Sequence, residues 1–429
     1  MKILIIDLMF SWPPHGGACV DVKEVASRLV QRGFDVEMAV SYMPDMYPRG
    51  HVNPVTPRPE GRGIRVGHSG CNGVNGSTLP FKIHKIEFSP FTFNALFVAR
   101  AIKKVVDRVK PDFVYLGDSY FFKPYIINAV KDYKTVARFY TYELICPNYY
   151  LLYKDGERCR RNYFDNPVYC MKCALSNMKE EITSFNLSVW GQEFVGGLAF
   201  MPFYHKYAKN SLSKCHAIIT YNSLCGRLLS PYNNNVFVIP GGVDTSNFQF
   251  PISNFQFRNN RTCKNIFVSG RLRDNRKGFA VLLEAAKKLR EKRKDFKVFA
   301  TIDKPFSEDY IVSLGWLDHQ KIKEIYQDMD ICVVPSLWEE PFGMVAVEAM
   351  ASGKPVVASK VGGLSESVED GVTGFHFPSG DADVLAEKLN TLLDSDSLRQ
   401  KMGMAGRERV ERLFDWDRIV DIYCEKIFI

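Results

Sequence analysis

Two α/β domains, each built on a parallel sheet, are predicted by three features of this chain. Its 429 residues are about twice the usual domain length, and with 46% hydrophobic and 24% charged residues it has apolar material for two cores. From Met1 to Val40 it reads strand, loop, helix, strand. From Ile322 onward it reads helix, buried strand, tight turn, helix.

In order, Met1–Leu8 gives the first buried strand, and the loop FSWPPHGGACVD leads into a helix over Val22–Gln31 that stops at Gly33. The strand Asp35–Val40 completes a β-α-β unit, although Gly16 and Gly17 do not form a GxGxxG fingerprint and are read from the residues as a turn. Residues Tyr42–Lys82, rich in Pro and Gly, are expected to be a long loop. Strands at Phe113–Leu116, Thr135–Phe139 and Ala217–Thr220 extend the first sheet, and Val236–Ile239 closes it.

The first domain is therefore expected over 1–240, with an insert at about 146–210. A linker over 241–263 contains SNFQF twice, at Ser246 and Ser253, with no chemistry attached. The second domain is expected over 264–407. Glu408–Ile429 reads as one terminal helix offering Phe414, Trp416, Ile419, Val420 and Tyr423 for packing.

Composition limits the partners. A formal charge of +8, with basic clusters at Lys103–Lys110 and Arg158–Arg161, suits nucleic acid, an anionic membrane surface or an anionic substrate. No nucleic-acid motif accompanies the charge, so no nucleic acid is expected as a partner. No apolar run reaches the roughly 18 residues of a membrane span, and MKILIID reads as a strand, so a cytoplasmic protein is expected. Four of the eleven cysteines, Cys146, Cys159, Cys170 and Cys173, fall close together; their loose spacing leaves structural zinc and free thiols both open. The aromatic segment Phe185–Tyr207 suits either a bilayer surface or a core helix pair, and its polar face, poor in Lys and Arg, favours the core.

The chemistry is concentrated in Trp338–Gly374. The strand Ile331–Val334, closed by Pro335 and Ser336, delivers Glu340 into a loop at its carboxyl end. Pro341 and Gly343 favour a tight turn, and Met344–Met350 is a good helix former. In open α/β sheets ligands lie beyond the carboxyl ends of strands, where helix amino termini offer free N–H groups to phosphate. The amides of Gly343, Met344 and Val345 are placed for that role. Glu348 shares a helix face with Met344 and Val345, so two carboxylates flank an anion site and suit hydroxyls on either side of it. Hydroxyls at both ends and a diphosphate between them describe a nucleotide sugar. The cations that offset the carboxylates come from NIFVSGRLRDNRKGF, where a strand ends at Ser269 and Gly270 and Arg271 and Lys277 follow. One charge pair at about 4 Å is worth roughly 4 kcal/mol at an effective dielectric of about 20, before desolvation.

Arg271, Lys277, Glu340, Phe342, Gly343 and Glu348, with GGLSE at Gly362–Glu366, resemble glycosyltransferase family 4. The resemblance extends over most of the chain, through Pro14, Gly16, Gly17, the IPGGVD segment Ile239–Asp244 and the final helix. It implies the GT-B fold, two Rossmann-like domains with parallel sheets facing across a cleft, the terminal helix crossing back to the first domain. It also implies retaining transfer of a sugar from a nucleotide diphosphate sugar to an acceptor hydroxyl, in polysaccharide, glycolipid or other glycoconjugate synthesis. Arg271, Lys277 and Glu340 would be catalytic, and Gly16, Gly17, Gly270, Phe342, Gly343, Met344, Val345 and Glu348 would bind the donor. No metal or other cofactor is implied beyond the donor itself. The acceptor side would be the first domain and its long loop, and the basic charge suits a lipid-linked acceptor at the inner face of a membrane.

The chain departs from the family at Tyr140, where many relatives carry histidine. Asp118, Tyr140, Tyr142 and Glu143 are the candidates to contact sugar or acceptor there, with His15 beside the glycine pair as another. The rival expectation is a nucleotide-sugar-binding or scaffold protein that lost its chemistry with the imidazole.

Overall fold

The computed structural model describes residues 1–12, 14, 16–42, 79–148, 152–154, 156–183, 188–248 and 263–429. His15, most of the Tyr42–Lys82 loop and the second SNFQF lie outside the described residues. The chain divides into two compact units. Unit 1 is Met1–Leu152, Arg160–Ile239 and Val420–Ile429, and unit 2 is Tyr153–Cys159 and Pro240–Ile419.

Unit 1 holds a seven-stranded parallel sheet of β1 (Lys2–Asp7), β2 (Asp35–Tyr42), β3 (Lys82–Glu87), β4 (Phe113–Leu116), β5 (Lys134–Phe139), β8 (Ala217–Thr220) and β9 (Val236–Val238). Between β5 and β8 the chain makes a small antiparallel hairpin, β6 (Tyr153–Lys154) and β7 (Glu157–Arg158), which groups with unit 2. The sheet order is β3-β2-β1-β4-β5-β8-β9. The chain winds outward from β1 in both directions, which puts a topological switch point between β1 and β4. Parallel pairing buries both faces, and the strands are accordingly near-continuous apolar runs: Ile3, Leu4, Ile5 and Ile6 have no exposed surface. The edge strand β3 was not called from sequence. Lys82, His84, Lys85 and Glu87 break its apolar pattern, as suits an edge, and each of its residues is partly or fully exposed.

Unit 2 repeats the plan with six parallel strands, β10 (Lys264–Val268), β11 (Phe296–Ala300), β12 (Ile311–Ser313), β13 (Ile331–Val334), β14 (Val356–Ser359) and β15 (Gly374–Phe377), in the order β12-β11-β10-β13-β14-β15. Its switch point lies between β10 and β13. The helix Phe279–Lys292 buries Phe279, Leu282, Ala285, Ala286 and Leu289, the spacing of one helical face, against this sheet and the helix Ala382–Asp394.

Two boundaries differ from the sequence reading. The first helix begins at Gly17 instead of Val22, with Gly16 extended as its cap. Where one helix was read over 408–429, two are seen, Asp396–Leu413 and Trp416–Lys426. Asp415 makes the break: its carboxylate accepts from the amide of Asp417 (3.0 Å) and the hydroxyl of Thr245 (2.7 Å). Val243 pairs with Asp415 as an isolated parallel bridge, so the chain entering unit 2 and the chain leaving it run side by side. Beyond it, Tyr423 and Phe428 return to unit 1 and pack on Tyr115 and Phe113. Among the described residues no helix is long and apolar enough to cross a membrane.

Candidate functional site

The switch point of unit 2 gathers most of the residues singled out from sequence. Glu340 lies in the loop after β13 and is only partly exposed. Its carboxylate accepts from Lys277 Nζ (2.9 and 3.2 Å), Ser336 Oγ (3.0 Å) and Trp338 Nε1 (2.9 Å). Lys277 and Arg276 also lie over the Trp338 ring, at 5.3 and 5.4 Å. The loop carrying these cations is itself tied down. Asp274 caps the short 3-10 turn Asn275–Lys277, and although burial opposes its charge, Arg276 holds its carboxyl below the usual range. Leu337 N donates to Arg276 O at 2.7 Å. Gly278 has φ 67°, and a Cβ there would overlap the carbonyl of Pro335, so only glycine allows the two loops to meet.

The helix Met344–Ala351 starts from Gly343, at φ 90°. The GGLSE segment braces the turn from the other side: Gly363 N donates to Glu340 O (2.7 Å), and Gly362 N donates to the Glu339 carboxylate (2.6 Å). Glu348 is buried beside Tyr326, whose hydroxyl is pushed well up by burial and then by the Glu348 charge. Tyr326 also donates to Val345 O at 3.3 Å. Gly270 lies two residues beyond β10 and is fixed by Thr301 (N to Oγ1, 3.0 Å), and Arg271 after it is exposed. Phe342 is different. Its side chain is buried and packs edge-on against Phe414 at 5.7 Å.

Three neighbours escaped sequence reasoning. Ser336 and Trp338 hold Glu340, and the small β6–β7 hairpin brings Arg158 to within 3.1 Å of Glu339. Trp338 was within reach as an unusual residue two before the glutamate; Arg158 had no signal beyond its basic cluster.

The switch point of unit 1 collects the second set. Asp118 follows β4, and its amide donates to Asp7 Oδ2 at 3.0 Å. Lys123, fully buried, donates to the carbonyls of Gly117 (2.9 Å) and Arg138 (2.6 Å) and pairs with Glu143 at 2.9 Å. Glu143 in turn accepts from Tyr140 N at 3.2 Å. Glu193 completes a cluster of four carboxyls about one ammonium. Burial, then the nearby Asp118, pushes Asp7 well up. Burial, then Asp118 and Glu143, does the same to Glu193. Asp118 is pushed up to about 7 by burial and by Glu143, against Lys123. It is the partly exposed member, and its Oδ1 has no hydrogen-bond partner among the described residues. Such a group can give or take a proton near neutral pH.

The two tyrosines behave otherwise. Tyr140 is buried, with Arg138 5.8 Å from its ring, and burial with Tyr115 and Asp21 holds its hydroxyl well above the usual range. It is placed to donate a hydrogen bond, not to act as a base. Tyr142 is buried and its hydroxyl accepts from Asn222 Nδ2 at 3.2 Å. Gly16 is extended, and a Cβ on Gly17 would meet no atom within 4 Å. The packing of the described residues therefore does not demand a glycine at 17. Among the described residues no group of three or more His, Cys, Asp or Glu could hold a metal ion, the four clustered cysteines included. Asn148 donates to Cys173 Sγ at 2.9 Å, and Cys146 Sγ lies 3.8 Å from Asn148 O.

Two doubly wound parallel sheets, each with its polar residues at a switch point, define an α/β protein of the GT-B class, and the comparisons agree. Across 99% of the chain and 97% of the other, the fold resembles the sucrose-phosphate synthase of Thermosynechococcus elongatus (TM-score 0.64, 19% identity). It equally resembles Anabaena HepE, solved in complex with UDP and glucose (TM-score 0.64, 18% identity, 100% and 99% covered). Residues 250–409 match the family described as Glycosyl transferases group 1. The D-inositol 3-phosphate glycosyltransferase of Corynebacterium diphtheriae is 45% identical over 97 residues, 23% of this chain and 22% of its own length. The phosphatidyl-myo-inositol mannosyltransferase of Mycobacterium leprae is 34% identical over 166 residues, 36% and 44% of the two chains. The chain thus spans less than half the length of either curated relative.

Proposed function

We propose that this protein is a retaining glycosyltransferase that moves a sugar from a nucleoside diphosphate sugar to an acceptor hydroxyl. The observation that carries the reading is the ion pair of Lys277 with Glu340 beside the amino terminus of the Met344–Ala351 helix, at the switch point of unit 2. Group 1 glycosyltransferase relatives match this same half of the chain, and the HepE neighbour holds UDP and glucose, which makes UDP-glucose the first donor to try.

In this reading Arg271, Lys277 and the amides of Gly343, Met344 and Val345 stabilise the negative charge that develops on the departing diphosphate, and Gly270 lets backbone approach it. Glu348 accepts from the ribose hydroxyls, and Glu340, oriented by Ser336 and Trp338, contacts the sugar. Gly16 and Gly17 offer bare backbone to the donor phosphates. The acceptor hydroxyl attacks from the leaving-group side and passes its proton to a diphosphate oxygen. Asp118, the partly exposed member, is the first of the candidates Asp118, Tyr140, Tyr142 and Glu143 to serve sugar or acceptor in place of the missing imidazole. The acceptor is lipid-linked and is used at the cytoplasmic face of a membrane.

The test is release of nucleoside diphosphate from a panel of nucleotide sugars. Lys277→Ala is expected to lower turnover at least about tenfold with the melting temperature unchanged. A folded Lys277→Ala protein with full turnover removes Lys277 from the mechanism. Tight donor binding with neither transfer nor hydrolysis assigns the chain to the binding-protein reading instead.

A further inference from the structure

Unit 1 carries an apolar cavity of about 980 Å³, lined by Phe93, Leu96, Ala99 and Arg100 on one side and Val195 and Leu198 on the other. Its volume is in the range of pockets that hold small organic ligands. The segments that line it expose more large apolar side chains than an ordinary surface does. Leu96 and Phe97, in the first turn of the helix Ala95–Val109, are 56% and 50% exposed, and Phe91 just before it is 89% exposed. Val195 and Leu198 line the facing side, and they and Phe200 and Phe203, which follow in sequence, are each more than a third exposed. Large side chains grouped in this way mark a surface that meets an apolar phase.

The charges around the rim say which phase. Residues 88–107 and 190–214 contain two carboxylates, Glu193, which is buried, and Asp107, which pairs with Lys103 at 2.9 Å. The same stretches expose Arg100, Lys104, Lys206 and Lys214, with Lys103 and Lys209 half-buried. Apolar side chains flanked by more cations than exposed acids complement an anionic bilayer, where apolar insertion and basic charge act together. The core reading of Phe185–Tyr207 therefore covers only half of that segment: Trp190, Phe194 and Tyr204 are buried, while Val195, Leu198, Phe200 and Phe203 face outward.

We infer that this face docks unit 1 on an anionic lipid bilayer, with Leu96, Phe97, Leu198 and Phe203 inserted among the chains, one lipid chain entering the cavity, and Arg100, Lys104 and Lys206 against the headgroups. The inference rests on the preceding reading for its purpose, which is to bring a lipid-linked acceptor to the protein. Its physical basis, the cavity and its rim, is separate.

Co-sedimentation of the full chain with vesicles tests it. Binding to phosphatidylcholine vesicles containing phosphatidylglycerol is expected to be at least tenfold tighter than to phosphatidylcholine alone. Leu96→Glu with Phe97→Glu, both on exposed positions, is expected to weaken it at least tenfold, and Arg100→Glu severalfold. Ala99→Trp, which fills the cavity, is expected to weaken it severalfold at unchanged melting temperature. Trp316→Glu, at an exposed position in unit 2, serves as the control and leaves binding as it was. Failure of the wild-type chain to sediment with anionic vesicles, or wild-type binding by the double variant, overturns the inference. So does concentration-dependent dimerisation without vesicle binding, which would give the face to a second copy. Diphosphate release, measured without vesicles, reports on sugar transfer separately, so loss of one reading is distinguishable from loss of the other.

Discussion

Glu340 is satisfied by Lys277, Ser336 and Trp338 at once, and this changes how the charge at the site is counted. Lys277 and Glu340 form a near-neutral pair. In the proposed mechanism more of the attraction for a diphosphate then falls to the helix terminus, whose partial charge is about half a unit. Glu340→Gln is expected to leave Lys277 uncompensated. On the proposed mechanism it should tighten binding of nucleoside diphosphate severalfold in calorimetry while lowering turnover about tenfold, since the sugar would lose its proposed contact. Parallel losses of affinity and turnover would contradict that division of labour. Asp118 gives a pH prediction. Its folded pKa, about 7, stands above the ordinary 3.8, so the folded state holds a proton that the unfolded chain has released between those values. The stability it contributes is therefore complete below about 4 and lost as pH rises through about 7. Asp118→Asn is expected to flatten the fall in melting temperature between pH 5 and pH 8, and an unchanged slope would place the proton on Asp7 or Glu193.

At the scale of elements, the central strands and the strand–turn–helix around Glu340 were legible because each obeys a local rule: an apolar run for a buried strand, Pro and Gly for the turn, good formers for the helix. What was not legible depends on partners distant in sequence. Strand β3 is recognisable only as an edge beside β2, and the break at Phe414–Asp415 arises because Asp415 meets Thr245 and Val243. The residues from Arg271 to Glu348 proposed for the donor side could be chosen by pattern, yet Ser336, Trp338 and Arg158 could be placed beside Glu339 and Glu340 only by the fold. Lys123 with its four carboxyls was invisible for the same reason, since Asp7, Asp118, Glu143 and Glu193 come from separate elements. The brace at Gly278 is similarly long in range. Gly278→Ala is expected to cost about 3 kcal/mol, from a left-handed backbone and an overlap with Pro335, and to lower the melting temperature of unit 2 in calorimetry.

For the whole molecule, the two units share a plan: a parallel sheet that winds outward from its first strand, with polar residues gathered where the winding reverses. The charge follows the same logic, with cations offsetting carboxylates at the switch point of unit 2 and a buried lysine among carboxyls at that of unit 1. Unit 1 depends on the far end of the chain. Tyr423, Ile427 and Phe428 are almost wholly buried, and Tyr423 and Phe428 rest on Tyr115 and Phe113. Deletion of residues 420–429 is expected to uncover those two side chains, and limited proteolysis should then cut unit 1 sooner than unit 2. Equal protection of both would mean that the strip is dispensable.

That strip also bears on how the protein is made. Domains commonly fold in the order in which they leave the ribosome. Here the first unit to emerge stays without its last helical turns, Val420–Ile429, until all of the second has been synthesised. Unit 2 has its whole sheet and helices to hand first, and unit 1 is finished last. Until then the nascent chain carries bare aromatic surface at Phe113 and Tyr115, which makes the interval before residues 420–429 emerge the time when chaperone binding or aggregation would fall.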